Sequence, residues 1–299
     1  MPRPQTLLVS RQGGQADRFV IRQSDDRIKA MNEPMALYLN ERLTPLWGQL
    51  DVFAQVETLR GEVLRDVKGR TTLRFTLNGD AYFLKIHRGV GWLEIAKELL
   101  QFKRPVLGAE NEWRALNLLK QIGVETMTPA AYGTKGVNPA SRRSFIITEE
   151  LTGTESLEDF CKDWPRRPPS FRLRTALIER VASMVRQMHR HGMNHRDCYI
   201  CHFHLDVSAG RDRVDPERFH LYVIDLHRAR IRRRVPTRWI VKDLAGLHFS
   251  AMDIGLTRTD RLRFVAAYEQ RPLREILRDR RRLWRRVART AAALKGKLG

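Results

Sequence analysis

Asn194–Asp206, read as NHRDCYICHFHLD, decides the fold, because two overlapping spacings in it belong to incompatible proteins. Read from Cys198, C-Y-I-C-H has the C-x-x-C-H spacing of a covalent haem attachment, and with His195 and His204 nearby it also suggests zinc. Read from His195, H-R-D opens the kind of loop that presents an aspartate for phosphoryl transfer. The rest of the chain must choose between them.

With 299 residues, 42% hydrophobic and 30% charged, the chain has enough apolar material for one large core or two lobes. No stretch approaches the roughly eighteen uncharged apolar residues of a membrane span. The N-terminus offers only Leu7 to Val9 as an apolar patch, which is too short for a secretory signal, so a cytoplasmic location is expected. Covalent haem is attached outside the cytoplasm in bacteria, which weakens the haem reading. Three cysteines, Cys161, Cys198 and Cys201, make no disulfide framework. A structural zinc needs a second ligand pair at a distance from the first, and no second C-x-x-C exists. Buried, reduced thiols remain the simplest reading.

Charge narrows the partners. Against 34 acids stand 55 Lys and Arg, a net of +21, so the protein works on or beside something anionic. The sequence has no Cys/His finger spacing, no aromatic RNP-like strand and no low-complexity basic tail, so no nucleic-acid partner is expected.

Element order points to an α+β bilobal layout. GEVLRDV, TTLRFTL and AYFLKIH, separated by KGR and NGD, read as an antiparallel meander from Gly61. WLEIAKELLQF and ENEWRALNLLKQIG carry apolar residues at helical spacing, the first ended by Arg104-Pro105 and the second by Gly123. PAAYG precedes SFIITEEL, a strand that runs into a connector. Beyond Leu151 the text is mostly helical: SLEDFCKDW, then FRLRTALIERVASMVRQMHRHG, with one strand at FHLYVIDL. The expected division is a poorly ordered extension at 1–34, a small β-rich lobe at 35–150 and a larger helical lobe at 151–299. This is the layout of kinases.

Phosphoryl transfer needs a cation on the phosphates, an acid to fix that cation, a base beside the acceptor hydroxyl, and carboxylate oxygen for magnesium. Lys85, on the third strand of the meander, faces away from Leu84 and Ile86 and is the candidate phosphate anchor. Glu112 in ENEWRAL is its candidate partner, with Glu110 a close rival. Asp197 of H-R-D, flanked by His195 and Arg196, follows a long amphipathic helix and stands where the base belongs. Asp225 ends the apolar run LYVID, in the place of the magnesium-binding acid that Phe-Gly usually follows. No G-x-G-x-x-G precedes Lys85, so the phosphate cradle is assigned to Lys68, Gly69 and Arg70 of the VKGR turn, and Glu149 and Leu151 of the connector to the nucleotide. His202 replaces the usual second-metal asparagine five residues after Asp197 and is assigned to the metal indirectly.

FLKIHRGVGWLEIAKELL, PVLGAENEW, TMTPAAYG, FIITEEL, NHRDCYICHFHL, VIDLHRAR, KDLAGLHFSAMDIGLTRTDRLRF and RPLREILRD together resemble the lipopolysaccharide core heptose(I) kinase family of Gram-negative bacteria. The likeness spans about Met35 to Arg280. HRDCYICHF is specific to that family, where C-Y-I-C-H and His202 are the usual pattern, so the H-R-D reading wins and the haem spacing is coincidental.

The resemblance implies ATP- and Mg2+-dependent phosphorylation of the first heptose of the inner core, at its 4-hydroxyl, on an acceptor made at the cytoplasmic face of the inner membrane. It implies Asp197 as proton acceptor, Asp225 as magnesium ligand, Lys85 as phosphate anchor, and Asp243 of KDLAGL as the helix acid that hydrogen-bonds the catalytic loop. Members of the family are also associated with acyl carrier protein, an acidic partner. An acceptor bearing lipid A phosphates and sugar carboxylates in an anionic membrane accounts for the basic balance.

The end of the chain, RPLREILRDRRRLWRRVARTAAALKGK, carries one apolar stripe (Leu273, Ile276, Leu277, Leu283, Trp284, Val287, Ala291, Leu294) and a basic face. It reads as one helix, either interfacial or partner-binding, or packed on the C-terminal lobe with its charges in water. A small-molecule kinase of the aminoglycoside phosphotransferase type would use the same catalytic set but would want an acidic pocket for its cationic acceptor. A protein kinase is disfavoured because no A-P-E string follows Asp225, and a pseudokinase scaffold because no key residue is missing.

Overall fold

The structure is a computed structural model that describes residues 35–67, 69–89, 91–92, 108–138 and 140–298. The expected extension at 1–34, Lys68, and all but the first residue of the expected helix WLEIAKELLQF lie outside the described residues.

The first part is a six-stranded antiparallel sheet in the order β1-β5-β6-β4-β3-β2. It is built from β1 (Met35–Leu39), β2 (Glu62–Val67), β3 (Arg70–Leu77), β4 (Asp80–His87), β5 (Pro129–Lys135) and β6 (Arg143–Glu149). The meander expected from alternation is β2–β3–β4, and β4 runs inside the sheet, with Lys85 opposite Thr72 on one side and Ile146 on the other. Period-two alternation sends Leu73, Phe75, Tyr82, Leu84 and Ile86 to one face, where α1 (Thr44–Trp47) and α2 (Val52–Thr58) contribute Trp47, Val52, Phe53 and Val56 to the same buried cluster. Asp51 caps α2 by accepting from the backbone N–H groups of Phe53 and Ala54.

On the other face lies α3 (Glu110–Gln121), which buries Glu112, Ala115, Leu116 and Leu119 and ends, as expected, before Gly123 at φ +69°. Because Lys85 alternates against Leu84 and Ile86, it points towards this helix.

The second part is mainly helical. After β7 (Thr154–Ser156), α4 covers only Leu157–Phe160, shorter than the SLEDFCKDW helix expected. Ser170 then caps α5 (Phe171–Arg190), whose Leu177, Val181, Met184, Val185 and Met188 fall on one buried stripe. The FHLYVIDL strand shortens to β10 (Leu221–Val223), which joins β9 (Phe203–Asp206) and β7, while β8 (Met193–Asn194) pairs with β11 (Arg230–Ile231). These short pairings frame the loop from His195 to His202. α6 (Thr237–Ser250) and α7 (Arg258–Glu269) follow, the latter opened by a capping box between Thr257 and Asp260.

The chain ends in two helices, a correction to the single one expected. α8 (Leu273–Asp279) stops at Arg280, and α9 (Arg281–Leu298) packs on α6. Arg271 bridges Glu275 and Asp279 at 3.1 and 2.7 Å and so spans the short helix from its own N-terminus to its end. Ile276, Leu283, Val287 and Ala291 are buried while Leu277 is half exposed, so most of the apolar stripe is core. Replacing fully buried Ile276 with Ala is expected to cost roughly 2–5 kcal/mol in urea unfolding. Leu277→Ala is expected to stay within about 0.5 kcal/mol of wild type. Equal costs at the two positions would contradict this packing.

Candidate active site

Asp243, on α6 and 1% exposed, is the anchor of the loop that carries H-R-D. Its carboxylate accepts from the backbone N–H of His195 at 2.7 Å and of Arg196 at 2.8 Å, and from His189 Nε2 at 3.2 Å. Tyr268 on α7 hydrogen-bonds the other nitrogen of His189 at 2.8 Å, so the two helices flanking α5 share one network. With its amide held, Arg196 sits at φ +78°, a conformation that L residues adopt only when neighbours over-determine it.

This geometry turns Asp197 outward. Its carboxylate receives Arg228 Nη1 at 2.9 and 3.1 Å. His195 is wholly buried; its Nε2–H donates to the Ile224 carbonyl at 2.9 Å, and burial pushes its pKa down. His195 thus ties the Asp197 loop to the strand end that carries Asp225.

Asp225 is the second non-glycine residue in a left-handed conformation here, at φ +58°. Burial alone would raise its pKa, but the hydrogen bond from His227 and the charge of Lys85 outweigh it and hold the carboxyl well below the usual range. Lys85 Nζ lies 2.6 Å from Glu112 and 3.8 Å from Asp225. Glu110, the rival to Glu112, is exposed and pairs instead with Arg114 on its own helix. Arg70 lies near Glu112 and Asp225, its Nε buried without a partner among the described residues. Gly69 takes φ +78°, and an added Cβ would come within 2.6 Å of the Gly89 carbonyl. Glu149 and Leu151 lie at the connector, where Glu149 accepts a long hydrogen bond of 3.4 Å from Asn40 and Leu151 packs on the core.

Across the loop, His202 Nδ1 donates to the Asp197 carbonyl at 2.7 Å. That bond leaves Nε2 free to face Asp225, 3.6 Å from its Oδ2. No group of three or more His, Cys, Asp or Glu side chains among the described residues is arranged to hold a metal. Cys198 is buried with its thiol pushed well up by burial, and Cys201 is half buried and pushed up to about 11. Both are packed thiols.

Lys85, Glu112, Asp225, Arg70 and His202 are therefore gathered in one place, with Asp197 beside them. Sequence reasoning missed Arg228 and His227, although both stand within three residues of Asp225, and the His189–Tyr268 support. The signal for the first pair was L-H-R directly after the strand-end acid, where Phe-Gly usually follows.

Residues 54–268, well over half of the chain, match the lipopolysaccharide kinase (Kdo/WaaP) family. A lipopolysaccharide core heptose(I) kinase WaaP of Pseudomonas aeruginosa is 56% identical over 245 residues, covering 82% of this chain and 90% of that one. Its counterpart from Escherichia coli K12 is 53% identical over 241 residues, covering 80% and 89%. A solved structure described as WaaP in complex with acyl carrier protein superposes with a TM-score of 0.75 at 50% identity, covering 86% of this chain and 98% of that one.

Two buried neutral histidines set a pH dependence. His87 is pushed down to about 3 by burial and by Arg70, Lys85 and His227, and His195 is lowered by burial. In the unfolded chain each takes a proton near pH 6.5. Below that pH the unfolded state binds more protons than the folded one, so this contribution is complete above about pH 6.5 and is lost as pH falls towards 3. Unfolding free energies measured between pH 6.5 and 5 should decline, His87 adding up to about 1.4 kcal/mol per unit and His195 acting in the same direction, and His87→Asn should flatten the slope. An unchanged slope in the variant would mean that His87 is protonated in the fold.

Proposed function

The chain belongs to the lipopolysaccharide kinase (Kdo/WaaP) family, and we propose from that membership that it phosphorylates the first heptose of the lipopolysaccharide inner core at its 4-hydroxyl, with ATP as donor. The observation that carries this reading is Lys85 held between Glu112 and Asp225, which places a cation, its fixing acid and a strand-end carboxylate together at the Asp197 loop.

In this reading residues 35–150 supply the nucleotide's phosphate contacts and residues 151–299 the base and the acceptor side. Lys85 and Arg70 receive the phosphates, and the unpartnered Arg70 Nε fits an oxygen ligand. The acceptor hydroxyl oxygen bonds to the γ-phosphorus as the bond to the β–γ bridging oxygen breaks. ADP leaves with that electron pair, and the hydroxyl proton passes to Asp197. Arg228 holds the Asp197 carboxylate in orientation until the hydroxyl shares it.

Asp225, with His202 Nε2 3.6 Å away, would hold a magnesium ion, which when bound would neutralise phosphate charge. Magnesium prefers oxygen, so Asp225 is the main ligand and His202 a support.

The basic character around Asp197 favours an anionic acceptor over the cationic one of an aminoglycoside phosphotransferase. The names of the relatives favour the same side. We place the protein at the inner face of the inner membrane; no helix among the described residues is long and apolar enough to cross a membrane. Acyl carrier protein is a fitting partner. Arg282, Arg285, Arg286 and Arg289 line one basic surface of α9. Trp284, Val287 and Ala288 of the same helix line an apolar cavity of about 310 Å³ that also reaches Phe264 and Leu247.

Asp197→Asn is expected to fold normally and lose roughly a hundredfold to ten-thousandfold in turnover. Transfer of labelled phosphate to dephosphorylated lipopolysaccharide, aminoglycosides and casein checks both residue and substrate: a wild-type rate in the variant, or preference for either of the latter acceptors, would overturn the reading.

Changing Arg282, Arg285, Arg286 and Arg289 together to Gln should weaken binding to acyl carrier protein by about tenfold or more at low salt, with the difference shrinking at high salt. Titration calorimetry showing the same affinity at both salt levels would remove this face from the interaction.

A further inference from the structure

The segment that follows Asp225 becomes strongly basic: Arg228 to Lys242 holds seven Arg or Lys and no acid. Four cations converge on one side chain within it. Arg196, Lys242, Arg238 and Arg232 lie 5.1, 5.6, 5.7 and 5.9 Å from the centre of the Trp239 ring. One cation over an indole is a common stabilising contact. Four are not explained by the ring, because they repel one another.

Among the described residues no carboxylate lies within ion-pair distance of Arg196, Arg238 or Lys242, Asp197 acts on the first and last only at longer range, and Arg196 Nε is buried without a partner. Arg232 is turned to the Asn194 side-chain oxygen, a neutral acceptor. The four come from different elements: Arg196 from the loop, Arg232 from beyond β11, Arg238 and Lys242 from α6. The fold therefore brings them together, and does so with Arg196 in a positive-φ conformation that Asp243 enforces.

Their position separates them from the nucleotide. Arg70 lies in the field of Glu112 and Asp225, whereas Arg196 and Lys242 lie in that of Asp197. Arg196 immediately precedes Asp197, and Arg228 on the same basic segment already touches its carboxylate. The surplus of positive charge is thus on the side of the base, where the acceptor must enter.

We propose that the four cations gathered on Trp239 form a subsite for an anionic group, a phosphate or a carboxylate, that the acceptor carries beside the hydroxyl activated by Asp197. The subsite rests on the sugar-kinase reading above and extends it to how the acceptor is selected. The indole holds the guanidinium planes in place, so the anion meets a prearranged set of donors and little side-chain freedom is lost on docking.

Arg238→Gln combined with Lys242→Gln tests this. Both side chains are outside the core and Trp239 is kept, so the fold should survive. The acceptor is a deacylated lipopolysaccharide whose first heptose carries no phosphate but which keeps its other phosphates and its sugar carboxylates and cannot join a membrane, assayed in that form, stripped of the other phosphates, or with its carboxyl groups reduced. The double variant should raise KM for the intact acceptor by roughly tenfold to a hundredfold, with kcat and KM for ATP nearly unchanged.

Wild type should lose a similar factor on whichever stripped acceptor lacks the recognised group, and there the variant should lose nothing more. That acceptor also tells phosphate from carboxylate. An unchanged KM in the variant, or an equal loss on all three acceptors, overturns the subsite. If wild type transfers phosphate to none of them, the kinase reading has failed, and direct binding of the intact acceptor decides the subsite alone: weaker binding by the variant supports it and equal binding overturns it.

Discussion

A single buried carboxylate orders the catalytic half of this molecule. Taking an ionised aspartate out of water is strongly unfavourable unless its oxygens are met by donors, and Asp243 meets two loop amides and an imidazole. Removing it would leave those amides without partners at a cost of about 1–3 kcal/mol each. The same contacts dictate direction. Once the amides of His195 and Arg196 are fixed, Arg196 is forced over Trp239, Asp197 faces Arg228, and His195 reaches the Ile224 carbonyl next to Asp225.

What could be read from the sequence followed periodicity. The β2–β3–β4 meander shows clean alternation, and α3 and α5 show apolar stripes longer than three turns, so local pattern sufficed. β1 has five residues and pairs with β5 almost a hundred positions away, and β7, β8 and β9 exist only through their partners. Such strands carry no signal of their own. The break at Arg280 was hidden for a related reason: the apolar stripe continues in phase across it, with no glycine or proline between Leu273 and Ala293.

In the candidate site, Lys85, Glu112, Asp197 and Asp225 were legible because each stands at a characteristic place on a strand, helix or loop. Choosing Glu112 over Glu110 needed the third dimension, since both open the same helix and only one faces the sheet. The Arg228–Asp197 pair spans 31 positions and follows no spacing rule. The gathering on Trp239 was invisible for the same reason, although the run of arginines that feeds it was plain. A net charge of +21 thus resolves into separate populations, one with Lys85 and Arg70, one beside Asp197 and one along α9.

The packed thiols of the opening stretch have a chemical consequence. With Cys201 pushed up to about 11, only roughly one molecule in ten thousand presents a thiolate at pH 7, and Cys198 is further still from ionising. Electrophiles that depend on a reactive sulfur beside Asp197 would find almost none. Peroxide would be equally slow to oxidise either side chain, so turnover should persist through oxidative conditions that silence phosphotransferases with an exposed, acidic cysteine in this loop.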